Sequence, residues 1–321
     1  MKNIFNSVFK DELSSFMDFI KLSVTNEKIY LHTLMDLDSF LHTERLMEKK
    51  IDADHIIRWL DGMDICLTTK KCKLQRVKKF GAYLNAIGIP SSLPELPRNN
   101  TEFKPYVFSA DEMKQMFEMA DDLILIYPNK RINAEFPMLL RILYGCGLRL
   151  GEATSLSWDN IDLSSGIIKI INTKNQKQRI VPMSSELTRI LRLYKNADCF
   201  RIQGCPYLFS KTDGKRRTNQ PYLEIFNKIL FALGIKNPQN KKCGSHGPCL
   251  HSLRHTFALH SLLKAEQEGR SFIETIPFLS TYLGHKGIME TDKYLKARYE
   301  LYTKSHSVIA DYTYDVFPQE V

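Results

Sequence analysis

Leu74, Val77, Phe80, Leu84 and Ile87 recur at helical spacing and predict a long amphipathic helix from about Thr68 to Ala86. Thr68 or Thr69 is placed to cap it, and Gly88 and Pro90 to end it. The rest of residues 1–98 shows no convincing strand alternation and reads as mainly helical. From Ile89 to Asn100 the chain holds three prolines and no helical period, which marks a linker. Beyond it, Ser109 stands three residues before Glu112, the spacing of a capping box. An apolar helix over 136–144 breaks at Gly145-Cys146-Gly147, and a new helix starts near Arg149 or Leu150. Ile167–Asn172 and Gln178–Met183 flank a polar turn and predict a β-hairpin, to which Tyr207–Ser210 could add a third strand. Helices are expected at about 184–194, 219–233, 252–265 and 273–283. The expected fold is mainly α with a small antiparallel β-sheet (α+β), in two domains, 1–98 and 99–321.

Composition narrows the class. The 321 residues are 43% hydrophobic and 25% charged, which excludes a largely disordered or fibrous chain. No apolar run is long enough to span a membrane. Asp11 and Glu12 interrupt the apolar core that a signal peptide would need, so the N-terminus is expected to be mature protein. Seven scattered cysteines without a secretory signal suggest reduced thiols in a cytoplasm. Cys243, His246, Cys249 and His251 are close enough to suggest zinc, but the segment reads better as a Gly-rich loop that happens to hold soft residues, and no metal is expected.

Lys and Arg number 45 against 36 Asp and Glu, a formal net charge of +9, which makes a polyanion a plausible partner. The distribution says more than the total. Lys70, Lys71, Lys73, Arg76, Lys78 and Lys79 crowd the 68–86 helix, and no acidic residue occurs between Asp64 and Glu95. A solvated face usually mixes signs, so this helix is a candidate to lie against phosphates. Lys211, Lys215, Arg216 and Arg217 form a second basic cluster, with plain solvation as its other reading.

The candidate chemistry lies in the second domain: Arg149 after two glycines, with Glu152 three residues on; Lys174 and Arg179 on the hairpin; His251-Ser-Leu-Arg254 on one helix; then Leu-Gly-His285, and Tyr294 nine residues later. Singly, each is an ordinary surface or core residue. In this order, over roughly 105–300, they resemble the tyrosine recombinase (phage integrase) family, whose signature is Arg, Lys, His-x-x-Arg, His or Trp, and Tyr. The resemblance is weaker in the N-terminal part. It implies a helical, SAM-like core-binding domain, a catalytic domain, and a C-shaped clamp of the two on double-stranded DNA. It further implies a tetramer in the synapse, no cofactor, and cleavage and rejoining of DNA through a 3′-phosphotyrosyl intermediate without metal or ATP.

Phosphoryl transfer needs fixed donors for the charge that builds on the phosphoryl oxygens. Arg149 and Arg254 present guanidinium forks that match phosphate oxygens, the helix beginning at Arg149 could add its positive end, and His285 a further hydrogen bond. A free tyrosine is only about one part in a thousand ionised at pH 7, a deficit of roughly 4 kcal/mol. His251 is therefore the expected proton acceptor for Tyr294. By resemblance, Lys174 protonates the leaving 5′-oxygen. Lys169 and Lys177 compete with it, because the turn reads Thr173-Lys174-Asn175 rather than Gly-Lys-Gly. Glu152 is expected to hold the Arg149 guanidinium. Two other readings stay open: a type IB topoisomerase, and a non-catalytic DNA-binding protein on the same fold. Whether the biology is phage integration, transposition or dimer resolution is not written in the residues, although the lack of an obvious arm-binding domain leans towards Xer-like or transposon-type enzymes.

Overall fold

The structure is a computed structural model. It describes residues 4–23, 27–95, 105–126, 131–171, 178–197, 204–236 and 247–284. They fall into two units, one ending near Glu102 and the other beginning near Phe103.

The N-terminal unit is four helices: α1 (Lys10–Ser23), α2 (Glu27–Thr43), α3 (Ala53–Asp61) and α4 (Leu67–Ala86). The α4 stripe is buried at Leu74, Val77, Phe80 and Leu84, whereas Ile87 caps the helix and is exposed. Phe80 packs on Phe9 and Phe16 with ring centroids 6.4 and 5.3 Å apart. Buried Asp38 accepts the backbone N–H groups of Asn6 and Ser7 at 2.7 and 3.0 Å, which fastens the leading segment. Two expectations need correction. The α4 N-cap is Cys66, whose sulfur lies 3.2 Å from the Thr69 hydroxyl, and not a threonine. The start of the expected linker is docked: Ser92 N donates to Ile51 O at 2.9 Å, and Asn85 and Ser91 exchange side-chain and backbone hydrogen bonds.

The second unit is built around α6 (Arg131–Gly145), which is buried at every residue from Asn133 to Tyr144. A helix buried on all sides belongs in a core, where its polar members need partners, and α6 packs against α5 (Ala110–Ile126), α8 (Ser185–Asn196), α9 (Gln220–Ala232) and α10 (Leu250–Gln267). The Ser109–Glu112 capping box of α5 is present, with both reciprocal bonds made, at 2.8 and 3.1 Å. A one-turn helix, α7 (Leu150–Ala153), follows the glycine break, and α11 (Phe272–Leu283) is the last described element. The sheet is antiparallel in the order β1 (Ile161–Asp162), β2 (Ile167–Ile170), β3 (Arg179–Pro182), with Ile168 opposite Val181. Ile168, Ile170 and Val181 face the core, while Lys169 and Ile180 face out. The third strand is thus β1 and not Tyr207–Ser210, which makes only isolated bridges to Ser157 and Arg216. Among the described residues no helix is long and apolar enough to cross a membrane.

Candidate active site

The glycine break aims the site. Gly147 has φ +57°, and a Cβ there would lie 2.4 Å from a Phe257 ring carbon, so neither the backbone conformation nor the space admits a side chain. Arg149 follows as the N-cap of α7. Its backbone N–H donates to Glu152 Oε2 at 3.0 Å and its Nη1 to Glu152 Oε1 at 2.9 Å. Because α7 is a single turn of four residues, its dipole is small.

Glu152 also holds a second arginine. From β3, Arg179 donates Nη1 to Oε1 at 3.1 Å and Nη2 to Oε2 at 2.8 Å. Burial works against the Glu152 charge, but the bonds from Arg179 and Arg149 outweigh it and hold the carboxyl down to about 2.

The remaining contacts converge on the C-terminus of α11. Arg179 Nε donates to Tyr282 O at 2.8 Å, and Arg254, on α10, donates Nη2 to Leu283 O at 2.6 Å and Nη1 to Gly147 O at 2.8 Å. Two cations therefore satisfy adjacent last-turn carbonyls, where the helix dipole favours positive charge. Gly284 ends α11 in the left-handed conformation (φ +67°), with Arg179 packed 3.2 Å from where its Cβ would be. His285 is the next residue in the chain. The Tyr282 hydroxyl donates to Pro182 O at 3.3 Å, and burial pushes its pKa up.

His251 is exposed in the first turn of α10, its ring 4.7 Å from that of buried His255. Cys249 caps the helix, its N–H donating to Ser252 Oγ at 3.1 Å. Lys174, Lys177, His285 and Tyr294 lie outside the described residues, as do Cys243 and His246. Among the described residues, no group of three or more His, Cys, Asp or Glu side chains could hold a metal ion.

The expected phosphate contacts divide. Lys73 pairs with Asp36 and lies 5.8 Å over the Trp59 ring; Arg76 Nη1 donates to Thr33 Oγ1 at 3.1 Å; Lys79 lies 5.5 Å over Tyr30. These three pin α4 to α2 and α3. Lys70, Lys71 and Lys78 make no ion pair among the described residues. In the other cluster, Lys215 is exposed beside Asp213. Arg216 instead caps the turn behind Arg149, with Nε on Thr154 O at 3.0 Å and Nη2 on Gly151 O at 3.2 Å. Arg217 turns inward to Glu135 at 2.6 Å. Both guanidiniums have internal acceptors, but Arg216 stays exposed while Arg217 is half-buried.

Sequence reasoning placed Arg179 on the hairpin but missed its contact with Glu152. The available signal was a charged residue opening an otherwise apolar strand, Arg179-Ile-Val-Pro.

The fold and site define a mainly helical protein with a small antiparallel sheet, whose second unit gathers arginines from a glycine turn, a strand and a helix. Residues 107–300, more than half of the chain, match the model of the phage integrase family. The chain is 26% identical over 320 residues to the tyrosine recombinase XerC of Thermodesulfovibrio yellowstonii, covering 92% of this chain and 95% of that one. It is 31% identical over 278 residues to the tyrosine recombinase XerD of Bifidobacterium longum, covering 80% and 82%. Among solved structures, the Tn1549 transposon integrase in complex with circular intermediate DNA matches with a TM-score of 0.64 at 18% identity, covering 92% of this chain and 99% of that one. The XerH recombinase bound to its difH substrate matches at 0.62 and 19%, covering 91% and 83%. The chain belongs to the phage integrase family, the tyrosine recombinases.

Proposed function

We propose that this site-specific DNA recombinase works through Tyr294. The Tyr294 oxygen attacks a backbone phosphorus, the bond from phosphorus to the 5′-oxygen breaks, and a 3′-phosphotyrosyl link and a free 5′-hydroxyl result. His251 accepts the tyrosine proton, and Lys174 returns one to the leaving oxygen. Arg149, Arg254 and His285 hold the phosphoryl oxygens as charge builds on them. The phosphodiester energy stays in the covalent link, so the 5′-hydroxyl of another strand can attack without ATP. Lys70, Lys71, Lys78 and Lys215 contact the DNA backbone, and the active assembly is a tetramer on two recombination sites in the cytoplasm.

The observation that carries this reading is the convergence of Arg179, Arg254 and Gly147 on the end of α11, next to His285. It ties the glycine turn before Arg149, strand β3 and helix α10 to the end of α11. The test is a set of nicked duplexes tiled across the DNA flanking the coding region. One of them should trap a covalent adduct that is lost in Tyr294→Phe and kept when Tyr299, the next tyrosine along the chain and outside the nine-residue spacing from His285, is changed to Phe. An adduct that survives Tyr294→Phe refutes the assignment. Relaxation of supercoiled plasmid lacking any site would favour a topoisomerase instead.

A further inference from the structure

Glu152 poses an electrostatic problem. Its carboxylate clamps Arg149 by two hydrogen bonds, at 3.0 and 2.9 Å, and a carboxylate that close to a guanidinium cancels most of its field at a distance. A phosphate approaching that pair alone would meet a nearly neutral unit. The second arginine changes the sum. Arg179 reaches both oxygens of the same carboxylate at 3.1 and 2.8 Å, its side chain is 9% exposed, and it faces the Tyr282 carbonyl on its other edge. Two guanidiniums and one carboxylate carry a net single positive charge, and the exposed member is Arg149, at 29%.

We propose that Arg179 is a positioning residue for strand transfer: it offsets the charge of Glu152, so that the carboxylate can orient Arg149 without neutralising it towards DNA phosphate. The inference rests on the reading of Arg149 as a phosphate ligand. Arg179 touches no reacting atom. It acts through Glu152, and its Nε bond to Tyr282 O sets the same trio against the end of α11.

The test uses the full chain at a temperature where every variant is folded by circular dichroism. Arg179→Met keeps most of the side-chain volume without the charge, and Arg179→Lys keeps the charge without the fork. On the duplex that traps the wild-type adduct, Arg179→Met should slow adduct formation about 100-fold and Arg179→Lys less than 10-fold. The double variant Arg179→Met with Glu152→Gln should recover at least 10-fold over Arg179→Met, because the uncompensated carboxylate is gone. Equal losses in Met and Lys variants, or no recovery in the double variant, overturn the proposal. A second readout needs no DNA site. Titration with inorganic phosphate, followed at the Arg149 guanidinium by nitrogen NMR, should show the same order of affinities: wild type, double variant, then Arg179→Met. If that order fails, Arg179 has no such role. If the order holds while the adduct persists in Tyr294→Phe, the nucleophile assignment fails and the role of Arg179 stands. Should Arg179→Met not fold, Arg179→Lys and Glu152→Gln carry the same comparison. Weaker phosphate binding in Glu152→Gln than in Arg179→Lys supports orientation by Glu152, and the reverse order overturns it.

Discussion

The second unit contains two buried carboxylates, each held by two arginines, and they are built for opposite ends. Glu135 is fully buried. It accepts from Arg131 Nε at 3.0 Å, Arg217 Nε at 2.6 Å, the Tyr222 hydroxyl at 2.8 Å and the Ser210 N–H at 3.2 Å. Both arginines are then tied off on Ser210, Arg131 to its hydroxyl and Arg217 to its carbonyl. Their side chains are 15% and 14% exposed. Glu152 has the same two-arginine clamp, but Arg149 gives it one side-chain donor, Nη1, and turns the rest of its fork to the surface. Among the described residues, Arg149 Nε and Nη2 have no acceptor. Ion pairing alone does not separate a structural cluster from a reactive one. Between these two carboxylate clusters the difference is that Arg149 keeps a donor face open after the pairing is complete, whereas Arg131 and Arg217 do not.

The sharpest way to break this comparison is a crossed pair of substitutions. Arg149→Ala leaves Glu152 bidentate to Arg179, so folding stability should change little while adduct formation falls by roughly 10²–10³ or more. Arg217→Ala removes one of the two charges facing the buried Glu135 and should cost about 3–5 kcal/mol of stability, with a near-normal rate per folded molecule. Urea denaturation and the adduct assay read the two axes separately. If both variants lose stability alike and both keep their rates, the distinction drawn from exposure is wrong.

A smaller effect comes from acid. Glu152 has its carboxyl at about 2 against an ordinary 4.5, so its contribution to stability is complete above about 4.5 and is lost as pH falls towards 2. His260 lies earlier on the scale. Burial lowers it to about 4 from 6.5, so the stability it contributes is complete above 6.5 and is lost as pH falls towards 4. Its Nδ1 lies 2.9 Å from the Tyr144 hydroxyl, linking α10 to α6. Urea midpoints measured against pH should therefore fall in two windows. His260→Gln should flatten the upper one and Glu152→Gln the lower one. A Glu152→Gln curve identical to wild type below pH 4.5 would mean that the clamp on Glu152 adds nothing to stability.

Legibility in the sequence followed the distance between partners. The Ser109–Glu112 box and the Arg149–Glu152 pair were readable because each is closed within three residues. The hairpin was readable because Ile168, Ile170 and Val181 alternate with outward residues. Strand β1 has two residues, too few to carry a period, while Tyr207–Ser210 has the composition of a strand but pairs only in isolated bridges. The internal partners of the basic clusters were hidden for a related reason. A run such as Lys215-Arg216-Arg217 does not reveal that Glu135, 82 residues earlier, waits for Arg217, nor that the Gly151 and Thr154 carbonyls wait for Arg216. The contact between Arg179 and Glu152, 27 residues apart, was hidden in the same way.

The open-or-closed criterion extends to α4, where the expected effects are smallest. Lys73 is 17% exposed and sits between Asp36 and Trp59, so it resembles Arg217 more than Arg149. Lys73→Ala should cost up to about 1 kcal/mol in the N-terminal unit, as partly exposed pairs do, and leave the salt dependence of DNA binding unchanged. Lys70→Ala and Lys71→Ala should do the reverse: no measurable loss of stability, and a log–log salt slope shallower by about one for each phosphate contact removed. DNA affinity measured from 50 to 200 mM salt decides between them. A slope altered by Lys73→Ala and not by Lys70→Ala or Lys71→Ala would place the DNA on the opposite side of α4, and internal pairing would then be no guide to which cations face phosphate.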